Sequence, residues 1–287
     1  MVRHRTRGVA RGRLFGLVCA GAAVVLVGCV GGTGGTATTT PAASDVLDVV
    51  ALGDSIPFNS PQDCPGCTGF VDSFADALAA TRGQPVEVTN RSRDDDAQSS
   101  DIREQVRSGY VDNVIGGADV VIVSAGLYDQ PPYADEGEAC SAAELDNEAD
   151  AVAALLATTP DCIATRTATA AKQLEGALEG VRERVPDATI LVLTPYNSWT
   201  GKPALDAEGP DAAAAVTSTV VAALEEWRAA ACEAAATVDG ECVDLLTAFN
   251  GPDGTTPAGD LLAADYTHPS QAGNDLIRDL LLAAETG

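Results

Sequence analysis

Two short segments at opposite ends of the folding body carry residue types that together could make a serine an activated nucleophile. One is Gly53-Asp54-Ser55; the other is Asp265-Tyr266-Thr267-His268. A serine hydroxyl attacks a carbonyl carbon only when a positioned base takes its proton, and a histidine base needs an acceptor on its second nitrogen to hold its tautomer. Ser55, His268 and Asp265 can fill these three roles. The three-residue step from Asp265 to His268 leaves enough chain for the carboxylate to turn back onto the ring. The chain has 2 histidines, and His4 lies in a segment expected to be removed, so His268 is the one imidazole base of the mature chain. Each segment alone has a bland reading: Gly-Asp-Ser is common turn chemistry, and a lone histidine carries little information. Their combination points to catalysis.

Both segments sit on expected loops, so regular elements must bring them together. From Val46 onward, short apolar runs alternate with longer amphipathic ones, the pattern of a mostly parallel sheet covered by helices on both faces. Strands are expected at Val46 to Leu52, Pro85 to Thr89, Ala118 to Ser124, Thr189 to Thr194 and, weakly, Val243 to Leu246. Helical faces are expected at Phe70 to Ala80, at Ile102 to Val114 with Tyr110 inward, and on Leu174-Leu178-Val181-Val185. Two more are expected on Val216-Val220-Leu224-Trp227 and on the terminal Leu276-Ile277-Leu280-Leu281. Asp129 to Asp146 and Asn197 to Pro210 read as long loops without secondary structure. In such sheets a loop at the carboxyl end of a central strand can meet one from a distant part of the chain.

Composition narrows the partners. The 287 residues are 46% apolar, enough for one core, and carry 17 Lys+Arg against 42 Asp+Glu, a formal charge of −25. Such a surface repels phosphate backbones, so nucleic acid is not an expected partner, and repulsion between copies favours a monomer.

Five arginines between Arg3 and Arg13 precede an apolar run from Leu14 to Val27, which reads as an export signal. The run ends in Leu26-Val27-Gly28-Cys29, resembling the bacterial lipobox, in which cleavage leaves a diacylated cysteine as the first mature residue. Residues 1–28 are therefore expected to be a lipoprotein signal peptide. Residues 29–45 would be the lipidated Cys29 with a flexible linker, and residues 46–287 a single domain. Cleavage leaves 12 Lys+Arg against 42 Asp+Glu, or −30. The expected location is extracytoplasmic, anchored to the outer leaflet of the membrane through Cys29.

Six cysteines remain in the body, an even set that suggests three disulfides in an exported chain. Fifteen pairings exist in principle. Proximity in sequence favours Cys64-Cys67, Cys140-Cys162 and Cys232-Cys242. Cys64-Pro65-Gly66-Cys67 has the spacing of a thioredoxin-like redox motif but lies in a Pro/Gly-rich stretch without the expected helix start, and no histidine neighbours it to complete a zinc site.

Val50-Ala51-Leu52-Gly53-Asp54-Ser55, Gly126-Leu127-Tyr128-Asp129 and Asp265-Tyr266-Thr267-His268-Pro269 with Gly273 together resemble the SGNH/GDSL hydrolases over nearly the whole mature body. The resemblance implies an α/β fold, a flavodoxin-like three-layer α/β/α sandwich with a five-stranded parallel sheet. It also implies serine-dependent hydrolysis of carboxylic esters without a cofactor or metal, and secreted actinobacterial members often carry three sequential disulfides. In the family, an oxyanion hole is completed by the backbone N–H of a glycine and the side chain of an asparagine. Here Tyr128 stands in place of the asparagine, and Asp96 is the best register for the glycine. The expected hole is thus the Ser55 N–H with the Tyr128 phenol or the Asp96 backbone. The Asp94-Asp95-Asp96 run would put negative charge near a developing oxyanion, where one lost donor can cost about 3 kcal/mol. The run also reads as a solvated loop flanked by Arg91 and Arg93, as a cation site, or as a contact for a cationic substrate.

Trp199 and Asp129 are further candidates for substrate contact. The expected substrates are small acyl esters or acetylated surface glycans. The competing expectation, motivated by the two altered oxyanion positions, is a catalytically degenerate module that binds envelope glycan or a protein partner.

Overall fold

The computed structural model describes residues 46–133, 145 and 147–286. Five strands, β1 (Leu47–Gly53), β2 (Val86–Asn90), β3 (Val120–Ser124), β4 (Thr189–Leu193) and β5 (Glu241–Val243), form one sheet in the order β2-β1-β3-β4-β5. Every pairing is parallel. The connections leave β1 in opposite directions, toward β2 on one side and β3 on the other. This creates a switch point, where diverging loops open a crevice at the carboxyl ends of the strands.

The ten helices of the described residues are α1 (Ser55–Phe58), α2 (Phe70–Arg82), α3 (Ser99–Arg107), α4 (Asp112–Ile115), α5 (Glu148–Ala157), α6 (Pro160–Arg184), α7 (Pro203–Ala207), α8 (Pro210–Thr237), α9 (Leu245–Asn250) and α10 (Gln271–Thr286). Strand residues point alternately to two apolar layers. Val49, Ala51, Val120, Ile122, Leu191 and Leu193 pack with Phe70, Phe74 and Leu78 of α2 and Ile277 and Leu281 of α10. Val50, Leu52, Val121, Val123, Ile190 and Val192 pack with Ile102 and Val106 of α3, Leu174, Leu178 and Val181 of α6, and Trp227 of α8. Burial on both faces explains why the central strands read as unbroken apolar runs. Each large aliphatic side chain removed from water contributes about 1.5–3 kcal/mol. The result is a three-layer α/β/α sandwich with a five-stranded parallel sheet, as the motifs imply.

Several local expectations need correction. The segment from Ile102 to Val114 is two helices, because Gly109 takes a left-handed φ of 76° and ends the first. Tyr110, expected inward, is 63% exposed as a result. The stretch from Asn197 to Pro210 is structured: it contains α7, and Asn197, fully buried, receives an N–H from Asn250 through its own carbonyl and donates its side-chain amide to Gly254 O. Leu246, placed at the end of the last strand, lies instead in α9, which Asp244 caps by accepting the Thr247 N–H. Helix α5 and the first half of α6 lie outside the expected helical faces. Most of the Asp129 to Asp146 loop lies outside the described residues, as do the signal segment and Cys29.

Cys64-Cys67 and Cys232-Cys242 are disulfide-bonded as expected. Cys162 is disulfide-bonded too, and its expected partner Cys140 lies outside the described residues. No helix among the described residues is long and apolar enough to cross a membrane.

Candidate active site

Ser55 follows β1 directly as the first residue of α1. The turn is tight because Gly53 has no side chain: a Cβ there would stand 2.6 Å from the Ser124 carbonyl oxygen of β3 and 2.7 Å from Pro57 Cγ. Asp54 then caps the new helix, its Oδ1 accepting the Ile56 N–H at 3.0 Å. Asp54 is buried, and desolvation lifts its carboxyl to about 7 against the Ile56 N–H, with the charge of Asp129 adding to the rise. The Ser55 N–H hydrogen-bonds to no group among the described residues, so it remains available to an incoming oxygen.

The second half of the site is a closed loop ahead of α10. Ala263 N–H donates to His268 O at 2.8 Å, and Ser270 N–H to Leu261 O at 2.9 Å. Inside the loop Asp265 Oδ1 accepts the backbone N–H groups of Thr267 and His268 at 3.0 and 3.1 Å. Its Oδ2 faces His268 Nδ1 at 2.5 Å. Burial works against the charged carboxyl of Asp265, but these hydrogen bonds outweigh it and hold the group below the ordinary carboxylate range.

Across the crevice, His268 Nε2 stands 3.0 Å from Ser55 Oγ. The three side chains named from spacing therefore form one line: hydroxyl, imidazole, carboxylate. Asn274, fully buried at the start of α10, explains how segments 213 residues apart meet. Its Oδ1 accepts the Phe70 N–H of α2 at 2.9 Å, and its amide donates to Pro269 O and Ser270 O. Gln271 adds a second tie by accepting the Thr68 N–H at 2.9 Å. Gly273 lets α10 approach, since a Cβ there would lie 2.2 Å from Leu261 O.

Tyr128, after β3, comes to the same place. Burial raises its phenol, the Asp96 carboxylate adds to the rise, and a hydrogen-bonding contact with the Ser55 side chain opposes both. Its backbone is fixed by Gln98 Nε2, which donates to Tyr128 O at 3.2 Å. Asp96 itself is exposed, and its backbone N–H and its carboxylate have no partner among the described residues.

The other two candidates are buried. Asp129 is 4% exposed and accepts both the N–H and the hydroxyl of Ser99, which ties it to the start of α3. Trp199 is 4% exposed and packs with Leu205, Val216 and Val220, with Lys202 Nζ 5.0 Å from its ring. Both side chains are engaged by the fold, and Asp129 also borders a small cleft with Gln98 and Arg166.

Three neighbours escaped the sequence reading. Tyr196 stacks on Phe249 and donates its hydroxyl to Thr267 O at 2.6 Å, bracing the histidine loop. Asn274 gave no signal beyond its place in an amphipathic run. Asp63, beside the Cys64-Cys67 bridge, brings a carboxyl oxygen to 3.5 Å from His268 Nε2. Donor atoms of Asp63, Asp265 and His268 converge within 4.8 Å, a set that could hold a metal ion. Two of the three, Asp265 and His268, are already hydrogen-bonded to each other.

A line of hydroxyl, imidazole and carboxylate at the switch point of a parallel sheet, beside a free N–H and a phenol, is the arrangement of a hydrolase. Residues 51–276 match the GDSL-like lipase/acylhydrolase family, and the chain belongs to that family, for which general ester-hydrolase chemistry is typical. No curated protein matches the chain. Similar solved structures include the lipase Lip_vut3 from a goat rumen metagenome, with 16% identity over 84% of this chain and 98% of that one and a TM-score of 0.58. The extracellular lipase of Streptomyces rimosus has 19% identity over 83% of this chain and 99% of its own, with a TM-score of 0.52. Phospholipase A1 of Streptomyces albidoflavus has 17% identity over 83% and 98%, with a TM-score of 0.51. At these identities the likeness is one of fold.

Proposed function

We propose that the protein is a serine esterase of the cell surface, acting on small acyl esters or acetylated surface glycans through Ser55, His268 and Asp265. The observation that carries this reading is the 3.0 Å contact between Ser55 Oγ and His268 Nε2, with Asp265 2.5 Å from the other ring nitrogen. Ser55 Oγ attacks the ester carbonyl as His268 takes its proton, and the carbonyl oxygen becomes an oxyanion. The Ser55 N–H and the Tyr128 hydroxyl, with the Asp96 N–H, donate to that oxygen. Collapse breaks the bond to the alcohol, which leaves with the proton from His268. Water, deprotonated by the same ring, then releases the acid from Ser55 and restores the hydroxyl. The sequence requires no cofactor.

The lipobox-like Leu26-Val27-Gly28-Cys29 supports an extracytoplasmic position, with lipidated Cys29 in the outer leaflet and residues 30–45 as tether. A fluorophosphonate probe tests the chemistry: wild type labels and hydrolyses a short-chain ester, and Ser55→Ala does neither. A well-folded wild type that neither labels nor turns over ester points to a degenerate binding module, the reading that Tyr128 and Asp96 at the oxyanion positions favour.

A further inference from the structure

The rim beside Ser55 holds a cleft of about 430 Å³, lined by Tyr128, Tyr133, Asp96, Asp101, Gln98 and Ser100, with Leu145 at its edge. Tyr128 links the two places: it lines the cleft, and the Ser55 side chain is near enough to oppose the rise of its phenol. The two tyrosine rings stand 4.8 Å apart, centroid to centroid, and tilted by 55°, so they form a corner and not a stack. Aromatic faces carry negative potential and attract cations, most strongly those that are weakly hydrated.

The acids of this rim divide into two kinds. Arg93 bonds Asp95 at 2.6 Å and Asp101 at 2.9 Å, and Asp101 also accepts the Gln98 N–H, so these charges are spent. The Asp96 carboxylate has no partner among the described residues, yet it lies near enough to both phenols to disfavour their ionisation. Tyr133 rises to about 12, chiefly through burial, with Asp96 the next cause. Arg166 reaches the wall from behind, giving its N–H groups to the carbonyls of Asp129 and Tyr128. An aromatic corner with a carboxylate that has no partner among the described residues, on a chain of formal charge −25, is the recognition chemistry of an organic cation. The volume admits a small head group, at the lower end of the range for ligand pockets.

We propose that this cleft binds the alcohol part of the substrate and that this part carries an alkylammonium group, held by the faces of Tyr128 and Tyr133 and the carboxylate of Asp96. The proposal rests on the esterase reading and adds the class of alcohol to it. It also gives a role to Asp96, the acid in the register of the family's glycine, which lines the cleft together with Tyr128.

The test compares acetylthiocholine with its uncharged isostere, 3,3-dimethylbutyl thioacetate, using the full-length chain. The expected result is a kcat/KM ratio of about tenfold or more in favour of the cation, falling with added salt and collapsing toward one in Asp96→Asn. Tyr133→Leu should lower the same ratio. In parallel, choline is titrated into Ser55→Ala, where binding is expected and is weakened in the Asp96→Asn, Ser55→Ala double variant. Equal use of the two esters by wild type, or a ratio unchanged by Asp96→Asn, overturns the proposal while leaving the esterase intact. Choline binding that depends on Asp96, in a protein that hydrolyses neither ester, keeps the cation site and removes the esterase. Absence of both turnover and choline binding overturns both.

Discussion

Replacing Asp265 with Asn probes the part of the site whose geometry is best defined. The carboxylate accepts three N–H groups: the backbone of Thr267 and of His268 through Oδ1, and the ring of His268 through Oδ2 at 2.5 Å. An amide has one acceptor. If its oxygen stays with the backbone, its NH2 faces Nδ1 and forces the ring proton onto Nε2, the nitrogen that must accept from Ser55. If it flips, two backbone donors face a donor. Charge is lost in either case. Two unit charges 2.5 Å apart interact by about 6–7 kcal/mol at an effective dielectric of about 20. The Asp265 side chain is 35% exposed, so solvent screening leaves roughly half of that, about 3 kcal/mol or some 10²-fold. The wrong tautomer extends the loss toward about 10⁴-fold. Steady-state hydrolysis of a short-chain nitrophenyl ester should therefore show kcat lowered by about 10² to 10⁴ with KM little changed. A variant that melts like wild type and keeps kcat within about tenfold would refute the role given to Asp265.

Tyr128→Phe should lower kcat by about 10- to 10³-fold if the phenol is an oxyanion donor, and an unchanged kcat would leave that role to backbone N–H groups. Asp54 makes stability depend on pH. Its folded pKa of about 7 lies above the ordinary aspartate value of 3.8, so the folded state holds the proton more tightly, and stability is lost as pH rises between these values. Asp54→Asn keeps the cap acceptor and should raise the melting temperature over wild type at pH 8 but not at pH 3.5; equal effects at both would contradict the buried carboxyl. Gly126→Ala should destabilise by about 3 kcal/mol or more in a urea titration, because its Cβ would meet Trp227 Nε1 at 1.9 Å with φ at 119°.

The sheet was legible in the sequence because each central strand is buried on both faces: Val120-Val121-Ile122-Val123 admits no solvent-facing position. The contacts among Ser55, His268 and Asp265 were legible because the residue types are rare, one histidine with an acid three residues before it. Elements set by capping and long-range polar contacts were not. Helix α9 starts because Asp244 caps it, and the order around Asn197 depends on Asn250, 53 residues away. Both look like loops to a periodicity reading. Trp199 and Asp129 show the converse error, in which residue types suited to a ligand are consumed by the fold. Asp63 and Tyr196 act through proximity alone, which spacing does not encode.

The Asn274 bridge to Phe70 also has a bearing on timing. The nucleophile is laid down close to the first strand, whereas the base and the latch that sets it in place come from the last few dozen residues to be made. A chain that ends before Asp265 thus contains all five strands and lacks the imidazole. If Ser55, His268 and Asp265 are the working groups, activity waits on the segment that ends in the closing helix.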